Sequence, residues 1–279
     1  MSVRIGLGLF TGQVPPGSSR TFSGEYREML DLVRLAEAAG FDSVWVSEHH
    51  GASDGYLPSL LPMLAAFAAA TERVRLGAGL ILAPLHHPLR LAEDAAVVDQ
   101  LSEGRLVLGL GIGWREEEFR MFGVAVRERA LRTEETIEIL RRAWTGRRFS
   151  FHGRAFAFDR VRVTPPPARA GGPPIYLGGY SELAVRRAGR LADGYIADAM
   201  PEDDLRRAVE LVDEAARGAG RDPARLGLAL LQNAFVWPDE GGWGLVAPGV
   251  AHQLGAYEAW EAGADAPDRD ELSIPERSP

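Results

Sequence analysis

The 279-residue chain contains no cysteine. That excludes disulfides, thiolate nucleophiles, cysteine-ligated zinc and iron–sulfur clusters. Lysine is missing too, because all 31 basic residues are arginine. Schiff-base catalysis, a pyridoxal-phosphate anchor and a P-loop lysine are therefore out of reach, even though compositional bias accounts for the absence. Long apolar runs are also lacking. The longest, Leu57 to Ala70, carries two prolines and falls short of the roughly 18 residues of a membrane span. No secretory core follows Met1, so a cytoplasmic protein is expected. Nor is there a basic excess: a net charge of −8 argues against nucleic acid, whose affinity rests on clustered cations. What remains is a composition of 46% hydrophobic and 25% charged residues, which suits an ordinary globular protein and not a fibre.

Along the chain, short apolar runs alternate with amphipathic stretches. Strands are expected at Val3–Phe10, Ser43–Ser47, Val74–Ala83 and Arg105–Ile112. Helices are expected from Ser23 to Ala39 with Gly40 as its stop, over Leu57–Ala70, over Pro88–Leu101 and over Glu128–Trp144. The rhythm breaks after Gly146. Phe149 to Asp159 alternates aromatic with small or polar residues as a surface hairpin does, and Pro165-Pro-Pro and Gly171-Gly-Pro-Pro174 mark an extended connection. Residues 146–174 are expected to be an insertion whose Phe149, Phe151, Phe156 and Phe158 either cover a pocket as a lid or simply hold a hairpin together. The alternation resumes with strands at Ile175–Gly178 and Tyr195–Ala197, helices at Ser181–Leu191 and Glu202–Ala219, a strand at Leu226–Trp237 and a helix at Gly249–Trp260. Residues 1–261 are expected to form one domain, and 262–279 a polar, disordered tail.

Near-continuous apolar strands separated by amphipathic helices predict an α/β fold with a parallel sheet covered by helices. A closed barrel and a doubly wound sheet are the two candidates. No Gly-x-Gly-x-x-Gly opens the helix after the first strand, so the dinucleotide fingerprint is missing. The glycines of Gly109-Leu-Gly-Ile-Gly113 recur along a strand instead. Gly111 and Gly113 there leave space above the strand end, which favours a barrel with a flat ligand on its carboxyl rim.

In a barrel, chemistry sits where strands end. Strand 2 ends in Ser47-Glu-His-His50, an ionisable cluster offering a proton donor to a ligand. Adjacent histidines point to opposite faces of an extended chain, so a shared metal site is poor geometry and no metal is expected. His86 and His87 follow strand 3 in a turn fixed by Pro84 and Pro88. Strand 5 ends in Gly178-Gly-Tyr-Ser181, where a helix start can hold a phosphate or where Ser181 simply caps the helix.

Together these segments resemble the bacterial luciferase-like flavin-dependent monooxygenases. The resemblance runs from about Arg4 to Asp198 and less clearly to Trp260. It is carried by Val46-Ser-Glu-His-His50 with Tyr56-Leu-Pro, and by Leu85-His-His-Pro-Leu-Arg-Leu-Ala-Glu-Asp94 running into Asp99-Gln-Leu-Ser-Glu-Gly-Arg105. Leu108 to Gly113 leading to Glu118-Phe-Arg-Met-Phe-Gly123 and the loop 178–181 complete it. The resemblance implies a (β/α)8 TIM barrel that binds reduced FMN, or the deazaflavin F420, on its carboxyl rim. His49 takes the place of the catalytic histidine, Glu48 approaches the flavin ring, and a non-proline cis peptide falls near Gly79–Leu80. Gly178, Gly179, Tyr180 and Ser181 take the phosphate, while His50, His86 and Trp114 line the substrate pocket. A flavin reductase as supplier of reduced flavin, a small organic substrate and a homodimer are implied as well.

FMN is favoured because Glu48-His-His50 resembles the oxygen-using branch, while Gly111-Ile-Gly-Trp-Arg115-Glu-Glu is similar to deazaflavin relatives that transfer hydride. Only seven β/α repeats are visible where the family has eight, so a non-catalytic flavin-binding or partner subunit is a further alternative. An aldolase- or isomerase-type barrel is disfavoured by the missing lysine.

Overall fold

The computed structural model describes residues 3–234 and 243–262. Seven strands form one parallel sheet in the order β1 (Gly6–Phe10), β2 (Ser43–Val46), β3 (Arg75–Leu82), β4 (Leu106–Gly111), β7 (Ile175–Gly178), β8 (Gly194–Ala197) and β9 (Gly227–Leu230). The remaining two, β5 (Phe149–His152) and β6 (Ala157–Val161), make the expected antiparallel hairpin. The seven-stranded sheet is a half-barrel of the TIM type, and among the described residues no strand joins β9 back to β1.

Helices α1 (Phe22–Ala38), α2 (Leu60–Ala70), α3 (Pro88–Leu101), α5 (Arg129–Ala143), α6 (Glu182–Leu191) and α7 (Glu202–Gly218) follow the strands as the periodicity requires. Two helix starts differ from expectation. Thr21, and not Ser23, caps α1 by accepting from the Gly24 N–H, and α2 begins only after Ser59 because Pro58 precedes it. Strand β1 begins at Gly6, and Ile5 just before it bonds to Asp42. The strand expected over 226–237 shortens to Gly227–Leu230, with its last residues outside the described ones. A six-residue helix, α4 (Glu116–Met121), is too short to leave a periodic signature. The final helix, α8, spans Trp243–Glu261 with Pro248 inside it, and so starts before the expected Gly249. Of the expected tail, residues 263–279 lie outside the described residues. Among the described residues no helix is long and apolar enough to cross a membrane.

The sheet's outer face carries the main core. Val44, Val46, Leu76, Ala78, Leu106, Leu108, Leu110, Ile175 and Leu177 are buried under the helices. The inner face follows a different rule, in which a large side chain lies across glycines of neighbouring strands. A Cβ at Gly77 would stand 2.1 Å from the Trp45 ring, and Trp45 also covers Gly6 and Gly8. Leu80 crosses Gly109, Gly111 and Gly178, and Tyr176 crosses Gly194 and Gly227. The alternating glycines thus make room for the protein's own side chains. The flat-ligand space expected above Gly111 is filled by Leu80, and at Gly113 a Cβ would meet the Phe119 ring at 2.9 Å.

Register is locked at the amino ends by two aspartates. The Asp42 N–H donates to Ile5 O and its carboxylate accepts from Ile5 N, both at 2.8 Å. Asp193 repeats this clasp on Ile175, at 2.6 and 2.9 Å. The hairpin packs onto α5. Phe151 and Phe156 are buried against Ile139, and Glu135 accepts from the backbone N–H groups of Arg154, Ala155 and Phe156. Those phenylalanines face the helix layer, as the structural alternative required.

Candidate active site

The residues after β2 leave the sheet at its carboxyl end and turn inward, so that Glu48, His49 and His50 are all buried. His49 Nδ1 shares a 2.8 Å hydrogen bond with Glu118 Oε1, and the His50 N–H donates to the same oxygen at 2.9 Å. Helix α4 supplies Glu118. Of its three successive glutamates Glu118 is the fully buried one, next to buried Phe119. The sequence signal was therefore present but ambiguous, because a triple acid reads as a solvated face.

Glu48 faces the other way. Its Oε1 accepts from His50 Nε2 at 2.7 Å and from His86 Nε2 at 3.0 Å. Burial opposes ionisation of Glu48, yet the His50 and His86 hydrogen bonds outweigh it and hold the carboxyl below the usual carboxylate range. Burial works against the charged form of His86 as well, and Glu48 overrides it and raises the imidazole. Arg115 anchors the turn by donating to His50 O at 2.8 Å and pairing with Glu117.

Aromatic rings surround His49. Tyr56 lies 4.8 Å away edge-on, Trp114 6.1 Å, Tyr257 5.5 Å and Trp260 4.9 Å, measured between ring centroids. Tyr257 and Trp260 come from α8, and the Tyr56 and Tyr257 hydroxyls share a 3.1 Å hydrogen bond. Burial pushes both phenols above their ordinary range, so the pair stays neutral. The Arg115 guanidinium stands 4.5 Å over the Trp260 ring. Under this cover His49 is only 5% exposed, whereas Trp114 is 40% exposed.

The structure thus gathers Glu48, His49, His50, His86 and Trp114 at one place. His50 does not face an opening: its ring meets Phe122 at 4.6 Å and its Nε2 is held by Glu48. Among the described residues the Gly178–Ser181 loop shares no hydrogen bond with this cluster. Gly179 has φ +140°, a conformation that favours glycine. Ser181 caps α6 through Ala184 N at 3.3 Å, and exposed Tyr180 donates to Asp198. The Gly79–Leu80 peptide is cis, where the resemblance implied one, and Gly8–Leu9 is cis too. Sequence reasoning missed the roles of Glu118, Arg115, Tyr56 and the α8 residues, because each depends on contacts between distant segments.

A model of the luciferase-like monooxygenase family matches residues 4–241. An F420-dependent glucose-6-phosphate dehydrogenase of Nakamurella multipartita is 36% identical over 178 residues, covering 61% of this chain and 51% of that protein. The alkanal monooxygenase alpha chain of Photorhabdus laumondii is 29% identical over 221 residues, 79% of this chain and 61% of its own length. The chain therefore spans only half to three-fifths of the length of these curated relatives. The crystal structure of monooxygenase RslO1 from Streptomyces bottropensis superposes with a TM-score of 0.78 at 28% identity, covering 93% of this chain and 78% of that one. The rim histidines, the half-barrel and the family match agree, and the chain belongs to the luciferase-like monooxygenase family.

Proposed function

We propose that this chain is a flavin-dependent oxidoreductase, a monooxygenase that uses reduced FMN and O2 on a small organic substrate. The observation that carries this reading is the His49–Glu118 pair at the carboxyl end of β2. A buried carboxylate fixes the ring through Nδ1 and leaves Nε2 to hold or deliver a proton. The rest of the rim supports a flavin in part. The Gly178–Gly179 turn and the first turn of α6 offer backbone N–H groups to a phosphate, and Gly179 lets it approach closely. Partly exposed Leu80 gives a flat ring an apolar bed. The His49 end does not fit an incoming ring in this conformation, because Tyr257 and Trp260 lie on it.

When bound, a reduced flavin supplies the electrons for oxygen. The chain's own part is to bind the phosphate at residues 178–181, to exclude water with Tyr56, Trp114 and Trp260, and to place the His49 proton. A flavin reductase would supply the reduced cofactor. The same reading takes residues 1–261 as one cytoplasmic barrel domain acting as a homodimer, with His86 and Trp114 toward the substrate.

Hydride transfer with F420 is the second reading, favoured by the 36% identity to the dehydrogenase of N. multipartita. Fluorescence titration with FMN and with F420 separates the two. With FMN, NADH and a flavin reductase, substrate-dependent oxygen uptake is expected to fall at least about 100-fold in His49→Ala. Unchanged turnover in that variant removes His49 from its role.

A further inference from the structure

We propose that helix α8 is a detachable lid that closes the carboxyl rim over His49 and must lift before a cofactor or substrate can reach the imidazole. The proposal rests on the reading of the rim as a flavin site.

Three observations carry it. First, the helix lies directly on the reactive group. Tyr257 and Trp260 pack on the His49 ring at 5.5 and 4.9 Å between centroids, and together with Tyr56 they cover an imidazole that is 5% exposed. Second, among the described residues none of the helix belongs to the main core. Its apolar contacts with the rim form a satellite cluster of Tyr56, Ala256 and Trp260, with Ala52 and Tyr257 at the margin, separate from the large cluster under the sheet. A segment held by a small cluster opens without unfolding the rest. Third, a polar latch fastens it. His252 Nε2 meets Asp54 Oδ2 at 2.8 Å, and Gln13 Nε2 donates to the same oxygen at 2.6 Å. The latch is two helical turns from Trp260 and touches neither His49 nor Glu118.

The seam itself is imperfectly matched. Trp260 Nε1 and His252 Nδ1 on the helix, and Glu118 Oε2 and Arg115 Nε in the site it covers, are buried without a protein partner. Closing α8 therefore leaves donors and acceptors that a polar ligand can satisfy once the helix has moved. An enclosure that covers its own reactive imidazole and leaves polar atoms unpaired has the character of a resting state.

Diethylpyrocarbonate acylation, read by mass spectrometry of the peptide that contains His49, tests the lid directly. Exposed His152 serves as the internal reference. In the unaltered chain His49 is expected to react at least tenfold more slowly than His152. Breaking the latch in His252→Ala is expected to raise the His49 rate at least tenfold and leave His152 unchanged. Ala251→Asp, which puts a charge on the buried face of α8, is a second variant with the same expectation, and far-UV circular dichroism checks that both fold. Equal His49 rates in the unaltered chain and both folded variants overturn the lid. FMN fluorescence quenching supplies the other arm, with at least tenfold tighter binding expected in His252→Ala. Equally tight binding to all forms overturns the lid and leaves the flavin reading standing. Faster acylation with neither FMN nor F420 bound by any form keeps the lid and removes the flavin reading.

Discussion

Glu118 and His49 are 69 residues apart in the chain and share one hydrogen bond of 2.8 Å, with the same carboxylate oxygen also accepting from the His50 N–H. One buried acceptor therefore sets both the ring and the turn that carries it. Glu118→Ala leaves two buried donors unpaired and opens a cavity, and is expected to cost roughly 3 kcal/mol in urea unfolding. Glu118→Gln keeps an acceptor oxygen and is expected to lose less than half of that. Equal losses in the two variants would show that the carboxamide cannot hold the turn.

The large-on-glycine packing of the inner face makes a graded prediction. A Cβ at Gly178 would meet the flexible Leu80 Cδ1 at 2.5 Å, whereas one at Gly109 would meet the rigid carbonyl oxygen of Ala78 at 2.2 Å. Gly178→Ala is expected to cost about 1 kcal/mol and to be rescued by Leu80→Ala; Gly109→Ala is expected to cost about 3 kcal/mol without rescue. Chemical denaturation of the singles and doubles gives the coupling energies. Rescue at both positions would contradict the packing described.

Acidity separates the Glu48–His86 pair from its surroundings. Glu48 sits below its ordinary 4.5, so its contribution is present above that pH and fades as pH falls through the depressed folded value. His86 sits above its ordinary 6.5, so its contribution is complete below that pH and is lost as pH rises through the raised value. Stabilisation by the pair is therefore greatest between those two values. His86→Ala is expected to destabilise more near pH 5.5 than near pH 9, by under about 1 kcal/mol because the imidazole is partly exposed. A pH-independent loss would mean that packing, and not charge, is what the substitution removes.

Glu135 tests what fixes the hairpin. It accepts from Arg154 N at 2.6 Å and from Ala155 N and Phe156 N at 3.0 Å each. Glu135→Ala is expected to cost about 2–3 kcal/mol and to speed amide exchange in residues 153–156 ahead of the sheet. Exchange that accelerates uniformly across the chain would assign Glu135 to global stability instead.

Local chemistry made much of the fold legible. Pro88 at a helix start and the run Ile175–Gly178 place α3 and β7 to the residue, because a fixed φ and an uninterrupted apolar run are local properties. The Glu-His-His cluster and the cis Gly79–Leu80 bond were also anticipated. Leu80 was not, since glycines signal room without saying what fills it. Tyr257 and Trp260 were expected only as part of a helix ending at Trp260, and their burial on His49 depends on the folding back of α8, about 200 residues downstream of Tyr56. Long-range contacts of that kind leave no periodic trace.

The clasps of Asp42 on Ile5 and Asp193 on Ile175 bear on how such a scaffold changes over generations. Alignment is anchored at the floor of the sheet, at the far end from the chemistry. Loops that follow β2, β4 or β7 can be lengthened or exchanged without the strands sliding, because two aspartates below already hold their neighbours in step. Specificity is then free to diverge while alignment is inherited, and a graft at the rim is a safer place to begin redesign than any substitution at position 42 or 193.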